Sequence, residues 1–154
     1  MHGRIYEIRE DKLPQEEWVN EGDFWDDNFI GSVADYVVTR TGNERHTDIE
    51  RLRTLTKDVF EITQDGNDYA LRLAENGKHE YFGERLEKLK STFAHMTLDD
   101  FCDSYKVYHI STLINDTFAN YVYGSDGWET LDDFIRQMRE NEVYYIGGTL
   151  DYHY

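Results

Sequence analysis

The hydrophobic pattern of this chain switches period again and again, and its longest uninterrupted periodic stretch is Lys78–Met96. Alternation every second residue is the mark of a half-buried strand, and recurrence every three or four residues is the mark of a helix. Arg4–Arg9 reads as a strand, with Ile5 and Glu7 alternating against Tyr6 and Ile8. Pro14, the only proline, suits a turn or a helix start. From Asp23 to Val38, the spacing of Phe24, Ile30, Val33, Ala34 and Val37 predicts a helix. Thr47-Asp-Ile-Glu50 has the form of a capping box and predicts a helix through Leu52 and Leu55 to about Lys57. Val59–Thr63 and Tyr69–Leu73 flank a polar turn, Gln64 to Asp68, and read as a hairpin.

The longest helix, Lys78–Met96, carries Tyr81, Phe82, Leu86, Leu89 and Phe93 on one face. The pentapeptide Thr-Leu-Asp-Asp-Phe occurs at Thr97–Phe101 and again at Thr130–Phe134. Each copy reads as a helix start, with Thr as N-cap and two carboxylates in the first turn, where the helix dipole favours negative charge. The flanks of the two copies do not match, so no structural repeat is read from them. Val107, Ile110, Ile114 and Phe118 give a further helical stripe. Asn120–Tyr123 and Val143–Tyr152 finish as strands, and Gly147-Gly148 marks a bulge or a close backbone approach. The sum is an α+β fold, one domain over residues 1–154, with about five short, mostly antiparallel strands and four to six helices.

Charge is the second constraint. Thirty-two Asp and Glu stand against 16 Lys and Arg, a formal net charge of −16. From Leu13 to Thr39 there is no Lys or Arg, while Glu16, Glu17, Glu21, Asp23, Asp26, Asp27 and Asp35 give a local net of −7. From Thr92 to Ile135, Asp99, Asp100, Asp103, Asp116, Asp126, Glu129, Asp132 and Asp133 face a single Lys106, again −7. Between them, Asn43 to Ser91 is nearly balanced, with 11 acids and 9 bases. So acidic a chain is not expected to bind nucleic acid directly, because phosphates are bound by cations. No run approaches the roughly 18 apolar residues of a membrane span, so no membrane association is expected. The N-terminus has no apolar signal-peptide region, and a lone Cys102 leaves no internal disulfide framework; a reducing cytoplasm is the expected setting.

Candidate chemistry is thin. The six histidines and Cys102 include no Cys-x-x-Cys or His-Glu-x-x-His spacing. His95, Cys102 and His109 lie seven apart, but the helix start at Thr97 interrupts them, and a structural zinc wants four ligands. The turn at Asp65–Asp68 and the loop at Ser125–Glu129 resemble fragments of calcium loops without the sixth-position glycine and twelfth-position acid. Asp99, Asp100 and Asp103 surround Cys102 with negative charge, the wrong setting for a thiolate nucleophile. No phosphate loop or nucleophile elbow is present, so no cofactor, no metal and no catalytic residue is expected.

The acidic segments carry the functional expectation. Trp18, Trp25 and Trp128, all three tryptophans, fall in or beside them. Carboxylates supply steering and register to a protein contact, and aromatics supply buried anchors. Duplex DNA presents one negative charge per ~1.7 Å of its axis, and a rigid acidic surface can occupy a DNA-binding cleft in its place. The partner-binding residues expected on this ground are Glu16, Glu17, Glu21, Asp23, Asp26, Asp27, Asp99, Asp100, Asp103, Asp126, Glu129, Asp132 and Asp133, with the three tryptophans as anchors. The expected partner is a basic DNA-binding or DNA-modifying protein.

Three stretches, Met1–Ile8, Phe29–Val37 and Tyr144–His153, resemble small acidic proteins of bacterial phage and conjugative elements, a resemblance that implies no activity. In size, acidity and aromatic content the chain is also similar to anti-restriction proteins of the ArdA type, which imitate DNA. That likeness is one of composition and carries no functional residue across. Three readings follow: a DNA mimic of the anti-restriction or nuclease-inhibitor type, a general protein-interaction domain, and a small enzyme without a recognisable motif. A mimic requires a continuous band of carboxylates. An interaction domain requires an exposed apolar patch, and an enzyme requires a concave pocket with convergent polar groups.

Overall fold

A computed structural model describes residues 1–26, 28–116 and 120–154, and among them seven strands form one sheet accompanied by six helices. In chain order these are β1 (His2–Arg9), α1 (a single turn, Phe29–Ser32), β2 (Tyr36–Arg40), α2 (Asn43–Leu55), β3 (Phe60–Asp65) and β4 (Asp68–Leu73). There follow α3 (Gly77–His95), α4 (Leu98–Cys102), α5 (Ser104–Ile114), β5 (Asn120–Gly124), β6 (Gly127–Thr130), α6 (Leu131–Gln137) and β7 (Tyr144–His153). Two 3-10 turns, Gln15–Glu17 and Glu21–Phe24, lie between β1 and α1. The fold is α+β as the periodicity predicts, and two strands more numerous.

Strand β7 is the spine of the sheet. The order is β3-β4-β7-β1-β5-β6, with β2 also paired to β7. One edge of β7 takes β1 along nearly its whole length. The other edge is shared: β4 pairs at Tyr144–Ile146 and β2 at Thr149–His153. Among the described strand pairs, β1 and β5 alone run parallel.

The glycine pair between those two stretches is a bulge, as its sequence suggests. Tyr6 faces Thr149 and Ile8 faces Ile146, so Glu7 alone opposes both Gly147 and Gly148. The extra residue flips the facing of everything beyond it. Tyr144 and Ile146 pack into one core layer, with Tyr6, Ile8, Leu71 and Val122 against Ile49 and Leu52 of α2 and Phe134 and Ile135 of α6. Leu150 and Tyr152 pack into the opposite layer, with Ile5, Val37 and Tyr121. That second layer is roofed by Val19, Phe24 and Phe29 from the irregular 13–35 segment. The Phe29 ring meets Phe24, Tyr121, Trp128 and Tyr152 edge-on at 5.0–5.5 Å, the geometry that ring quadrupoles favour.

Two helix expectations are corrected. Residues 23–38 do not form a helix: Ile30 is extended, Gly31 sits at φ +92°, and Tyr36–Arg40 pairs with β7 as a strand. The β-branched Val37, Val38 and Thr39 suit a pleated surface, and that tertiary pairing overrides the apolar spacing. The helix expected to open at Thr47 opens at Asn43 instead, after Gly42 at φ +52°. Thr47 is one turn in, its hydroxyl donating to the Asn43 carbonyl (2.8 Å). The hairpin at β3–β4, both Thr-Leu-Asp-Asp-Phe helix starts and the helices that follow are as expected. Phe118, assigned above to a helical stripe, lies outside the described residues.

Candidate interaction surfaces

The first acidic segment is stitched down by its backbone and leaves its carboxylates outward. Glu7, 1% exposed, accepts from the amides of Val19 and Gly148 (both 2.9 Å) and from Arg9 Nε (2.9 Å). A side chain on Gly147 would collide with that carboxylate, and one on Gly148 with the Val19 carbonyl, which is why two glycines stand there. Further along, the Asn20 and Asp23 side chains cap each other's backbone. Glu21 clips the segment to β2: its amide donates to Thr39 Oγ1 (2.9 Å) and its carboxylate accepts from the Thr39 amide (2.8 Å).

Among the described residues, Glu16, Glu17, Glu21, Asp23 and Asp26 are exposed and none makes an ion pair. Trp25 stands beside them, 79% exposed. Asp27 lies outside the described residues. Trp18 is not an open anchor: its indole N–H donates to Leu13 (3.1 Å) and its ring covers the Arg45 guanidinium at 4.1 Å. Arg45 is buried in turn at the gap between β4 and β2. It donates to the carbonyls of Gly147 (2.7 Å), Ile146 (2.8 Å) and Asn67 (3.0 Å), closing the split edge of β7 with donors a sheet neighbour would otherwise supply.

The second acidic segment spends much of its charge internally. Asp132 is 1% exposed and is therefore removed from any docking surface. Arg85 grips it with both terminal nitrogens (2.7 and 3.0 Å), Tyr81 donates to it (2.9 Å), and the Asp116 amide donates as well (2.8 Å). Burial pushes the Asp132 carboxyl up, but the hydrogen bonds from Arg85, the Asp116 amide and Tyr81 outweigh it and hold the pKa below the usual range. Asp133 receives Thr130, Asn115 and Arg136 while Thr130 caps α6. Asp100 is held low by Lys106 and by the Thr97 cap. Asp103 caps α5 at the Tyr105 amide (2.9 Å). Glu129 accepts from Gln137 (2.7 Å), and burial together with Asp133 and Asp126 raises its pKa. Trp128 is half-buried against Phe29 and Tyr121. Asp99 and Asp126 remain exposed.

A third surface, not among the expected partner-binding residues, is apolar. Helix α3 is anchored at its start: Gly77 packs on the Val59 backbone, Lys78 donates to the Arg136 carbonyl (2.7 Å), and Arg85 holds Asp132. Beyond Arg85 it continues with α5 packed along it and α4 packed on α5, and from Leu86 to Ile114 only Ile110 is buried. Leu86, Phe93, Leu98, Phe101, Tyr105, Val107, Tyr108 and Ile114 are exposed, Leu98 to 77% and Phe101 to 63%. Helix α4 buries none of its five residues. It is held instead by the Thr97–Asp100 capping box and the Lys106–Asp100 ion pair. Between α3 and α5 runs a groove of about 590 Å³ lined by Met96, Ile110 and Leu113 and by the charged Lys88, Asp100, Asp103 and Lys106 among others.

A smaller polar hollow of about 330 Å³ lies between the ends of β1 and β5 and helix α6, lined by Arg9, Glu10, Asp126, Glu129 and Arg139 among others. No group of three or more His, Cys, Asp or Glu among the described residues is arranged to hold a metal ion. No helix among them is long and apolar enough to cross a membrane. No protein-family model, curated protein or solved structure matches the chain.

Proposed function

We propose that the chain acts by binding another protein through the α3–α5 arm, without catalysing a reaction. The observation that supports this is the row of large apolar side chains left in solvent between Leu86 and Ile114. Soluble proteins rarely leave contiguous apolar surface uncovered unless it is used. Here its presentation is also built: α4 owes its order to polar caps, so Leu98 and Phe101 project without serving the core. Capture from bacterial lysate on immobilised protein tests the reading. Retention should survive high salt, as apolar contacts do, and should fall sharply for Leu98→Ser and Phe101→Ser. A set of captured proteins, this chain itself included, that is unchanged by both substitutions would sink it.

A second reading, the DNA mimic, is favoured by one observation: among the described residues the carboxylates from Glu16 to Asp26 have no ion-pair partner, and they flank an open Trp25. A positively charged, nucleic-acid-handling protein would take that strip in place of phosphates, with Trp25 as the anchor. Such a partner should elute at moderate salt, be displaced by duplex DNA, and be lost on Glu16→Lys/Glu17→Lys substitution. Binding indifferent to added DNA would remove this reading.

A further inference from the structure

We propose that the partner of the α3–α5 arm is a second copy of this chain, and that the groove between α3 and α5 receives Leu98 and Phe101 of that copy across a two-fold axis. The proposal rests on the protein-binding reading of the arm and names what fills it.

Charge is the first argument. Residues 77–114 carry six acids (Glu80, Glu84, Glu87, Asp99, Asp100, Asp103) and five bases (Lys78, Arg85, Lys88, Lys90, Lys106), a net of −1 within a chain of −16. Over the 13–39 segment two copies would repel each other. The arm is nearly neutral and carries both signs, which is what a surface facing itself requires.

Shape is the second. In a two-fold contact each copy must offer both halves of the fit, so that residue i meets j and j meets i. The arm has both. Leu98 and Phe101 project from α4, and neither lines the groove; the groove is concave, partly apolar in its lining and has room for both side chains. Seating α4 in it would also bring Asp99, which lies between the two projecting residues, to a lining where Asp100 is paired with Lys106, Asp103 caps α5, and Lys88 is the cation left to meet it. Neither Lys88 nor Asp99 is in an ion pair among the described residues.

Sedimentation velocity on the intact chain, over a hundredfold range of concentration, tests this. The expected result is a reversible shift from the 18.3 kDa species to one of twice that mass. Phe101→Ser should weaken the dimer by more than about tenfold, the usual effect of losing a central apolar anchor. Lys88→Glu should weaken it too, and adding Asp99→Lys to that variant should restore it. All three positions are exposed, so an unchanged circular-dichroism melt should accompany the loss. A dimer indifferent to Phe101→Ser and Lys88→Glu overturns the proposal, because its contact lies elsewhere. A chain that stays at one copy throughout also overturns it. If Phe101→Ser then still abolishes capture of a lysate protein, the arm binds a different partner and the broader reading stands; if it changes nothing, both fall.

Discussion

The two acidic segments have the same net charge and opposite fates. Residues 13–39 and 92–135 each sum to −7. In the first, the carboxylates from Glu16 to Asp26 are exposed with no cation paired to them among the described residues, and the segment is pinned by the Val19 amide on Glu7 and by Glu21, amide and carboxylate, on Thr39. In the second, Asp132 is buried under Arg85, and Asp100, Asp103 and Asp133 cap helices or pair with nearby cations. What separates them is α-helix starts: the second segment has three, and the first has only the single turn α1 and two short 3-10 turns, one of them capped by Asp23. A carboxylate in the first turn of a helix has amide donors ready and a favourable dipole, so it is drawn into structure. One in an irregular segment stays available. Net charge therefore counts carboxylates without saying how many are left for a partner.

The sharpest way to break this contrast is to remove one acid from each segment. Asp132→Ala leaves Arg85 and Tyr81 half-buried and unpartnered, and should cost about 3–5 kcal/mol of unfolding free energy in urea titration. Asp26→Ala should stay within about 0.5 kcal/mol of the parent. Equal losses would erase the contrast, and an Asp132→Ala loss as small as that expected of Asp26→Ala would show that the second segment's charges are not structural. Next in size is Glu7→Ala, which strips the acceptor from the Val19 and Gly148 amides and should cost about 2–3 kcal/mol. Its signature is local: hydrogen exchange at Val19 and Gly148 should speed up more than exchange in α6. Uniform acceleration throughout would deny Glu7 its role as the pin of the first segment.

How far the sequence could be read follows from the distances involved. The β3–β4 hairpin, α3, and both capped helix starts were legible because their determinants lie within a few residues: a polar turn, a 3.6-residue period, a Thr with an Asp three positions on. Strand β2 was not, because Ile30, Val33 and Val37 mimic helical spacing while the deciding partner, β7, lies more than 100 residues away. The same holds for Glu7 with Gly148, Arg45 with Gly147, and Asp48 with Arg4 and Arg40, buried polar groups whose partners no local pattern announces. Among the expected anchors, Trp25 is open, while Trp18 and Trp128 are drawn into contacts with Arg45 and Phe29. The arm was half legible. Its apolar stripe on α3 is visible in the sequence, but periodicity reports that a face is apolar and not whether anything covers it.

The last effect, smallest at Glu129, separates two carboxylates of the second segment by pH. The folded pKa of Asp132 lies below its ordinary 3.8, so its contribution to stability is present above that value and is lost as pH falls through the folded pKa. Glu129 runs the other way. Burial and the neighbouring Asp133 and Asp126 raise its pKa above 4.5, so ionising it costs the folded state more than the unfolded one. Its contribution favours folding below 4.5 and is lost as pH rises through the raised value. Glu129→Gln should therefore raise the melting temperature slightly at neutral pH, with the gain vanishing on acidification below about pH 4.5, where the wild-type side chain is protonated in both states. Asp132→Asn should lower it at neutral pH, with a deficit that shrinks only below pH 3.8. If both substitutions shift stability in the same direction at pH 7, the separation within the second segment is wrong, and its acids act as one charged surface.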